Sequence, residues 1–345
     1  MKKVIDLRSD TITHPTPEMR EAMYRAELGD DGWGDDPTVN RLQELAAERL
    51  GKEAALLVPS GTMGNLVSIL SQAERGTEII LGDRSHTFTT ESGGVSAVGG
   101  IHVWALPNDR FGRLDPAQVE AAIRPSGNVH YPRTALICLE NTHNRCSGAV
   151  LSPEYISTIA ALGRRAGVPL HLDGARVFNA AVALEMDPVE LVRPFASVTF
   201  CLSKGLCCPI GSLICGSAEF IARARFWRQM VGGGMRQAGI IAAAGIVALE
   251  SMIDRLAEDH EHARMLAEGL AHLPGLTLDL EPIQTNIVIM QVQAMSGEEF
   301  AGRLEAEGIR VSRMGPNLVR MVTHYGITRS DMQEAVRAAA RILAE

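Results

Sequence analysis

Lys204 is the residue of this sequence best placed for covalent chemistry. It stands between two apolar runs, residues 198–202 and 210–215, each of which reads as a buried strand, and Ser203 and Gly205 flank it. An ammonium in such surroundings is costly unless it is paired, neutralised or bonded. Desolvation lowers the pKa of a lysine and turns its amine into a nucleophile toward carbonyls. The plain alternative is a lysine on an exposed turn with its ammonium in water. Asp173 and Arg176 follow another apolar run, 168–172. A site role competes there with an ordinary surface ion pair. His86 comes just past a strand at 78–81, where ligands bind in open α/β sheets, or else is a polar surface residue. In Pro59-Ser60-Gly61-Thr62 a strand (Ala54–Val58) turns into a helix, and the free N–H groups of such a turn attract anions. Ser60 or Thr62 acting only as a helix cap is the simpler reading. Further on, Gly232-Gly233-Gly234 lets a ligand approach the backbone beside Arg236.

Each of these residues needs an element to hold it. Helical spacing is found at 17–26, 39–50, 114–123, 153–165 and Ala218–Met230, and strands at 78–81, His102–Leu106, 134–139 and 168–172. Strand, helix and strand of these lengths predict right-handed crossovers and a mostly parallel sheet. Residues 239–273 read as one long helix bridging to a compact α+β unit. That unit has strands at Ile287–Val292, 309–313 and Leu318–Val322, the last carrying Arg320, and helices at 297–307 and 330–343. The expected fold class is α/β, a three-layer large domain over 1–250 with a small C-terminal α+β domain over 251–345.

At 345 residues the chain has room for two domains. A formal charge of −8 argues against nucleic acid as a partner. The N-terminus places charges where a signal peptide needs an apolar run, and no segment is apolar enough to span a bilayer, so a cytoplasmic protein is expected. The six cysteines lack zinc-ligand spacing and read as small buried hydrophobes, with no metal site implied. The acidic turn Asp30–Asp36 does not follow calcium-loop spacing and reads as a solvated or substrate-proximal loop.

A lysine, an aspartate, a flat histidine and an anion-binding turn near strand ends form the set that pyridoxal 5'-phosphate requires. Lys204 would take its aldehyde, Asp173 would keep its ring nitrogen protonated, and His86 would stack on the ring. Gly61, Thr62 and Ser203, with Ser60 beside them, would hold the phosphate.

Several longer strings carry a family resemblance. They are Leu7-Arg8-Ser9-Asp10-Thr11, the Gly29–Thr38 acidic segment, Leu139-Glu140-Asn141-Thr142-His143-Asn144 and His171-Leu172-Asp173-Gly174-Ala175-Arg176. Cys201-Leu202-Ser203-Lys204-Gly205-Leu206 and Gly232-Gly233-Gly234-Met235-Arg236-Gln237 complete them. In this order, over nearly the whole chain, the sequence resembles the low-specificity L-threonine aldolases, which are fold-type-I pyridoxal phosphate enzymes. The resemblance implies a homotetramer of two tight dimers with active sites at the dimer interface.

It also implies roles for single residues. Lys204 bonds to the cofactor, Asp173 pairs with its ring nitrogen and His86 stacks on it. Arg236 of a neighbouring subunit joins the phosphate site. Ser9, Arg176 and Arg320 bind the substrate carboxylate, and His130 orients the substrate hydroxyl. Gln229 stands where the family often has a lysine. The implied reaction is cleavage of L-threonine and L-allo-threonine to glycine and acetaldehyde, with His86 and His130 both candidates for the base. The rival readings are elimination, transamination or racemisation on the same scaffold, or a non-enzymatic cofactor-binding protein.

Overall fold

The computed structural model describes residues 4–125 and 127–344. Met1–Lys3, the start of the N-terminus weighed above as a signal peptide, lie outside them, as do Ser126 and Glu345. Strand β1 (Ile5–Asp6) opens the chain. The main sheet is built from β2 (Ala54–Val58), β3 (Glu78–Gly82), β4 (His102–Leu106), β5 (Thr134–Glu140), β6 (Leu170–Asp173), β7 (Ser197–Cys201) and β8 (Ser212–Gly216). Their order is β2-β8-β7-β6-β5-β3-β4, and β8 alone runs against its neighbours. The expected mostly parallel sheet is therefore present. Its inner strands are covered on both faces, which is why they read as unbroken apolar runs.

Alternate residues of these strands feed opposite faces of the sheet. Ile137, Leu139, Leu170, Leu172, Val198 and Phe200 join one hydrophobic cluster with helices Pro37–Leu50, Pro153–Ala166 and Gly239–Ser251. Ile79, Leu81, Leu136 and Cys138 face the other way. Local chemistry starts and stops the helices. Asp36 and Ser152 cap the first two of these at their N-termini, a proline follows each cap, and Gly51 and Gly167 end them in the left-handed conformation.

The C-terminal part forms a four-stranded antiparallel sheet from β9 (Leu276–Thr277), β10 (Ile287–Val292), β12 (Ser312–Arg313) and β13 (Leu318–Val322). Between β10 and β12, strand β11 (Ile309–Arg310) leaves that sheet and pairs in parallel with β1. Residues 309–313, expected as one strand, are thus two strands in two sheets. Ile5 and Leu7 pack into the cluster formed by this part of the chain, although the sequence placed them with the first 250 residues.

The long bridging helix expected over 239–273 is two helices, Gly239–Ser251 and Leu256–Ala271, broken at residues 252–255. The first half packs its small residues into the large core and the second packs into the small one, so the chain must change direction between them. The acidic turn is mainly a structural brace. Asp31 is buried against Arg228 at 2.8 Å, and Asp36 accepts the N–H groups of Thr38, Val39 and Gly239. All six cysteines are buried and free, as expected, and burial pushes the Cys207 thiol up to about 11. No helix among the described residues is long and apolar enough to cross a membrane.

Candidate active site

The carboxyl edge of the sheet carries the chemistry. Glu140 ends β5, and its register partner Asp173 ends β6. Ser203 and Lys204 lie half-buried in the turn just after β7. Thr13 Oγ1 and the Cys207 N–H both donate to the Lys204 carbonyl at 2.9 Å, which fixes the backbone from which the amine projects. Among the described residues the Lys204 ammonium has no ion-pair partner within bonding distance. The lysine is thus positioned and unspent.

Helix Gly61–Leu70 and the turn that follows it face β6 and β7 with a polar stripe. Asn65, Ser68 and Gln72 recur at helical spacing, and His171, Asp173, Ser197 and Thr199 alternate along the strands opposite. Gln72 Nε2 lies 2.7 Å from Ser197 Oγ, and His171 spans from Ser197 Oγ (2.8 Å) to Asn65 Oδ1 (3.2 Å). Burial lowers the pKa of His171 to about 4, so its ring is neutral and serves as a spacer. Asn65 Nδ2 then donates to Asp173 Oδ2 at 2.8 Å, and the Ala175 N–H reaches Asp173 Oδ1 at 3.2 Å. The Asp173 carboxylate is held on both oxygens.

His86 starts a single helical turn after β3. Its backbone N–H donates to Glu140 Oε2 at 2.6 Å, and its Nδ1 lies 2.8 Å from Glu91 Oε1. The bond to Glu91, with the charges of Asp173 and Glu140 nearby, raises the His86 pKa.

Two arginines stand close by. Arg176 is buried and bound to Asp10, so it is not the partner of Asp173 that the sequence offered as the plain alternative. Arg320 donates from Nη1 to Asn144 Oδ1 at 2.8 Å and from Nη2 to the Arg8 carbonyl at 3.2 Å. Its buried Nε has no acceptor, and no carboxylate pairs with it among the described residues. Burial, together with the neighbouring Arg176 charge, lowers the Arg320 pKa.

The residues present fit pyridoxal phosphate. Ser60 caps the helix by accepting the Met63 N–H, while the first-turn N–H groups of Gly61 and Thr62 have no carbonyl in reach along the helix. A Cβ on Gly61 would sit 2.8 Å from Cys201 Sγ, and the buried Ser212 Oγ beside it lacks a partner. Backbone amides and an orphaned hydroxyl make a cradle for an anion.

Other expected residues lie apart from this group. His130 is exposed on the loop entering β5 at the amino edge, next to Tyr131, which stacks with Arg124. Arg124 in turn binds Glu78, the first residue of β3, so within one chain His130 is across the sheet from Lys204. Arg236 is exposed, with only a 3.4 Å contact to Asp30. Ser9 accepts the Thr11 N–H and caps the turn that carries Asp10. Gln229 is exposed and folds over Gly234. A cavity of about 700 Å³ opens at the amino edge between Arg164, Arg193 and Phe195, away from the lysine.

Sequence reasoning missed Asn65, Glu91 and Asp10. The signal available for Asn65 was its spacing with Ser68 and Gln72, a polar stripe on the buried side of an otherwise apolar helix. Glu91 carried no such local signal, and Asp10 stood only as part of the Leu7–Thr11 string.

The description of the beta-eliminating lyase family matches residues 6–294. Low-specificity L-threonine aldolase 1 of Arabidopsis thaliana is 46% identical over 95% of this chain and 93% of its own length. The low specificity L-threonine aldolase of Escherichia coli K12 is 43% identical over 96% and 97%. A solved structure of threonine aldolase from Leishmania major aligns with a TM-score of 0.84 over 98% of this chain and 99% of that one, at 19% identity, a likeness of fold.

Proposed function

This chain belongs to the beta-eliminating lyase family and, within it, to the low-specificity L-threonine aldolases, and from that premise we propose how its residues cleave their substrate. It is a carbon–carbon lyase that acts on L-threonine and L-allo-threonine, and on other L-β-hydroxy-α-amino acids, giving glycine and an aldehyde such as acetaldehyde. The observation that carries this reading is the Arg320 guanidinium, without a carboxylate partner among the described residues, together with an unspent lysine and a doubly held aspartate.

Lys204 would hold pyridoxal phosphate covalently, Asp173 would pair with its ring nitrogen, and Gly61, Thr62, Ser60 and Ser203 would cradle its phosphate. When bound, this cofactor supplies a carbonyl for the substrate amine and a sink for the electrons of the breaking bond. Arg320, through Nε, binds the substrate carboxylate, and Arg176 adds its charge from behind. Fixing that carboxylate orients the Cα–Cβ bond for cleavage. His86 takes the β-hydroxyl proton on Nε2, because its Nδ1 is already committed to Glu91. His130 and Arg236 are assigned to sites of a neighbouring copy in a homotetramer. A cytoplasmic setting suits six unpaired cysteines.

The test is product release from L-threonine, L-allo-threonine and D-threonine with added pyridoxal phosphate. Equal glycine and acetaldehyde from the two L isomers is the expected result. Ammonia with a keto acid would replace aldol cleavage by elimination on the same residues.

A further inference from the structure

The buried carboxylate of Glu91 has entered so far only as the partner of His86 Nδ1. It is 5% exposed, and its Oε1 accepts two hydrogen bonds, from His86 Nδ1 at 2.8 Å and from Asn65 Nδ2 at 2.9 Å. The second amide proton of Asn65 goes to Asp173. Asn65 therefore lies between two carboxylates and separates them, and the donor atoms of His86, Glu91 and Asp173 all lie within 4.8 Å of one another.

The donor sense of the whole network is consistent. Gln72 donates to Ser197, Ser197 to His171, His171 to Asn65, and Asn65 to Asp173 and Glu91. One end of the chain thus terminates on a carboxylate that has only His86 left to satisfy it. A carboxylate accepting at Nδ1 forces the proton onto that nitrogen and leaves Nε2 as the free base. Among the described residues Nε2 has no hydrogen-bond partner.

We propose that Glu91 is a positioning residue that fixes the tautomer and charge of His86 and, through Asn65, the spacing between His86 and Asp173. The proposal rests on the assignment of His86 to the site. The charged groups facing His86 are Glu91 from its own loop, Asp173 from the end of β6 and Glu140 from the end of β5. Of these, Glu91 alone bonds to the ring, while Glu140 binds the His86 backbone. Burial and the nearby Asp173 raise the pKa of Glu91 itself, whereas His86 and Asn65 pull it down. Losing Glu91 would remove the largest stabiliser of the imidazolium and free the ring to turn.

The experiment uses the full-length holoenzyme as wild type, Glu91→Gln and Glu91→Asp. Carbethoxylation of His86 by diethyl pyrocarbonate is followed against pH on the His86 peptide by mass spectrometry, with exposed His272 as a reagent control. In Glu91→Gln the reactivity midpoint should fall by about one pH unit, which is about tenfold more modification at a pH below it. The kcat should drop while KM stays within about twofold, since a transition-state contact is lost and substrate binding is not. The visible absorbance of bound cofactor should persist, and Glu91→Asp should recover part of both changes. An unmoved midpoint in Glu91→Gln overturns the proposal. If that variant does not fold, a wild-type midpoint at or below about 6.5, the ordinary histidine value, overturns it instead, and a midpoint above it supports it. The carbethoxylation readout needs no threonine, so a failure of aldol activity in the wild type would overturn the proposed function while the Glu91–His86 coupling was still measured.

Discussion

Asp10 and Arg176, 166 residues apart, form a two-pronged ion pair that is closed to solvent, with Nε 2.6 Å from Oδ2 and Nη2 2.7 Å from Oδ1. Asn286, just before β10, adds a 3.1 Å hydrogen bond to the same carboxylate. One charge pair therefore ties the N-terminal segment and the small sheet to the end of β6. Burial alone would raise the Asp10 pKa, but the Arg176 charge, with Lys204 nearby, holds it far below the usual carboxylate range.

Replacing Asp10 by Ala leaves a buried guanidinium without its counter-ion and should cost about 3–5 kcal/mol of stability. Chemical denaturation measures this, and a loss below about 1 kcal/mol would reduce the pair to the worth of a surface bridge. Because the folded pKa is depressed, the pair's contribution is complete above the unfolded value of about 3.9 and drains away as pH falls toward the folded one. In Asp10→Asn that acid limb should be missing from the stability profile.

Arg320→Ala removes a cation whose hydrogen-bond partners among the described residues are neutral oxygens. A charge-assisted bond to the substrate carboxylate is worth about 1.5–3 kcal/mol, so kcat/KM for L-threonine should fall about ten- to a hundredfold, mostly through KM. Steady-state kinetics at constant cofactor saturation decide it. An unchanged KM would take Arg320 out of the site.

Gly61→Ala tests the anion cradle. The new methyl group would meet Cys201 Sγ at 2.8 Å and push the helix start away from the turn that carries Lys204. Overpacking of this kind costs about 1–3 kcal/mol, and here it should appear as weaker pyridoxal phosphate binding in a titration of the cofactor-stripped enzyme. Equal affinity in the two proteins would place the phosphate elsewhere.

Arg236 is 70% exposed along its side chain and only loosely tied to Asp30, which leaves it free to reach a neighbouring copy. Arg236→Ala and Lys204→Ala should each lose activity alone. Mixing them by unfolding and refolding together should restore part of it, because some sites then draw an intact arginine and an intact lysine from different chains. No recovery on mixing would argue for sites built from one chain.

Much of the architecture was legible residue by residue. Apolar runs of four to six residues marked the inner strands of the large sheet, and helical spacing marked the helices that Asp36, Ser152 and Ser217 cap, because burial on two faces and the period of a buried face act over a few neighbouring residues. Lys204, Asp173 and His86 were visible because each follows such a run, and strand ends in a parallel sheet share one edge. The errors arose where the outcome depended on remote packing. The helix over 239–273 breaks because its two halves serve different cores, and 309–313 divides because β1 takes its first two residues.

The site's polar partners belong to that second class. Asn65 bonds Asp173 across 108 residues and Glu91 across 26, while Arg176 chooses Asp10 and not Asp173, three residues away. Which side chains could do the chemistry was written in the chain itself, since residue type and local period are properties of short stretches. Which of them is left unpaired, and which is held in which charge state, was decided only by folding, because a buried polar group must take whatever partner the tertiary structure brings within about 3 Å.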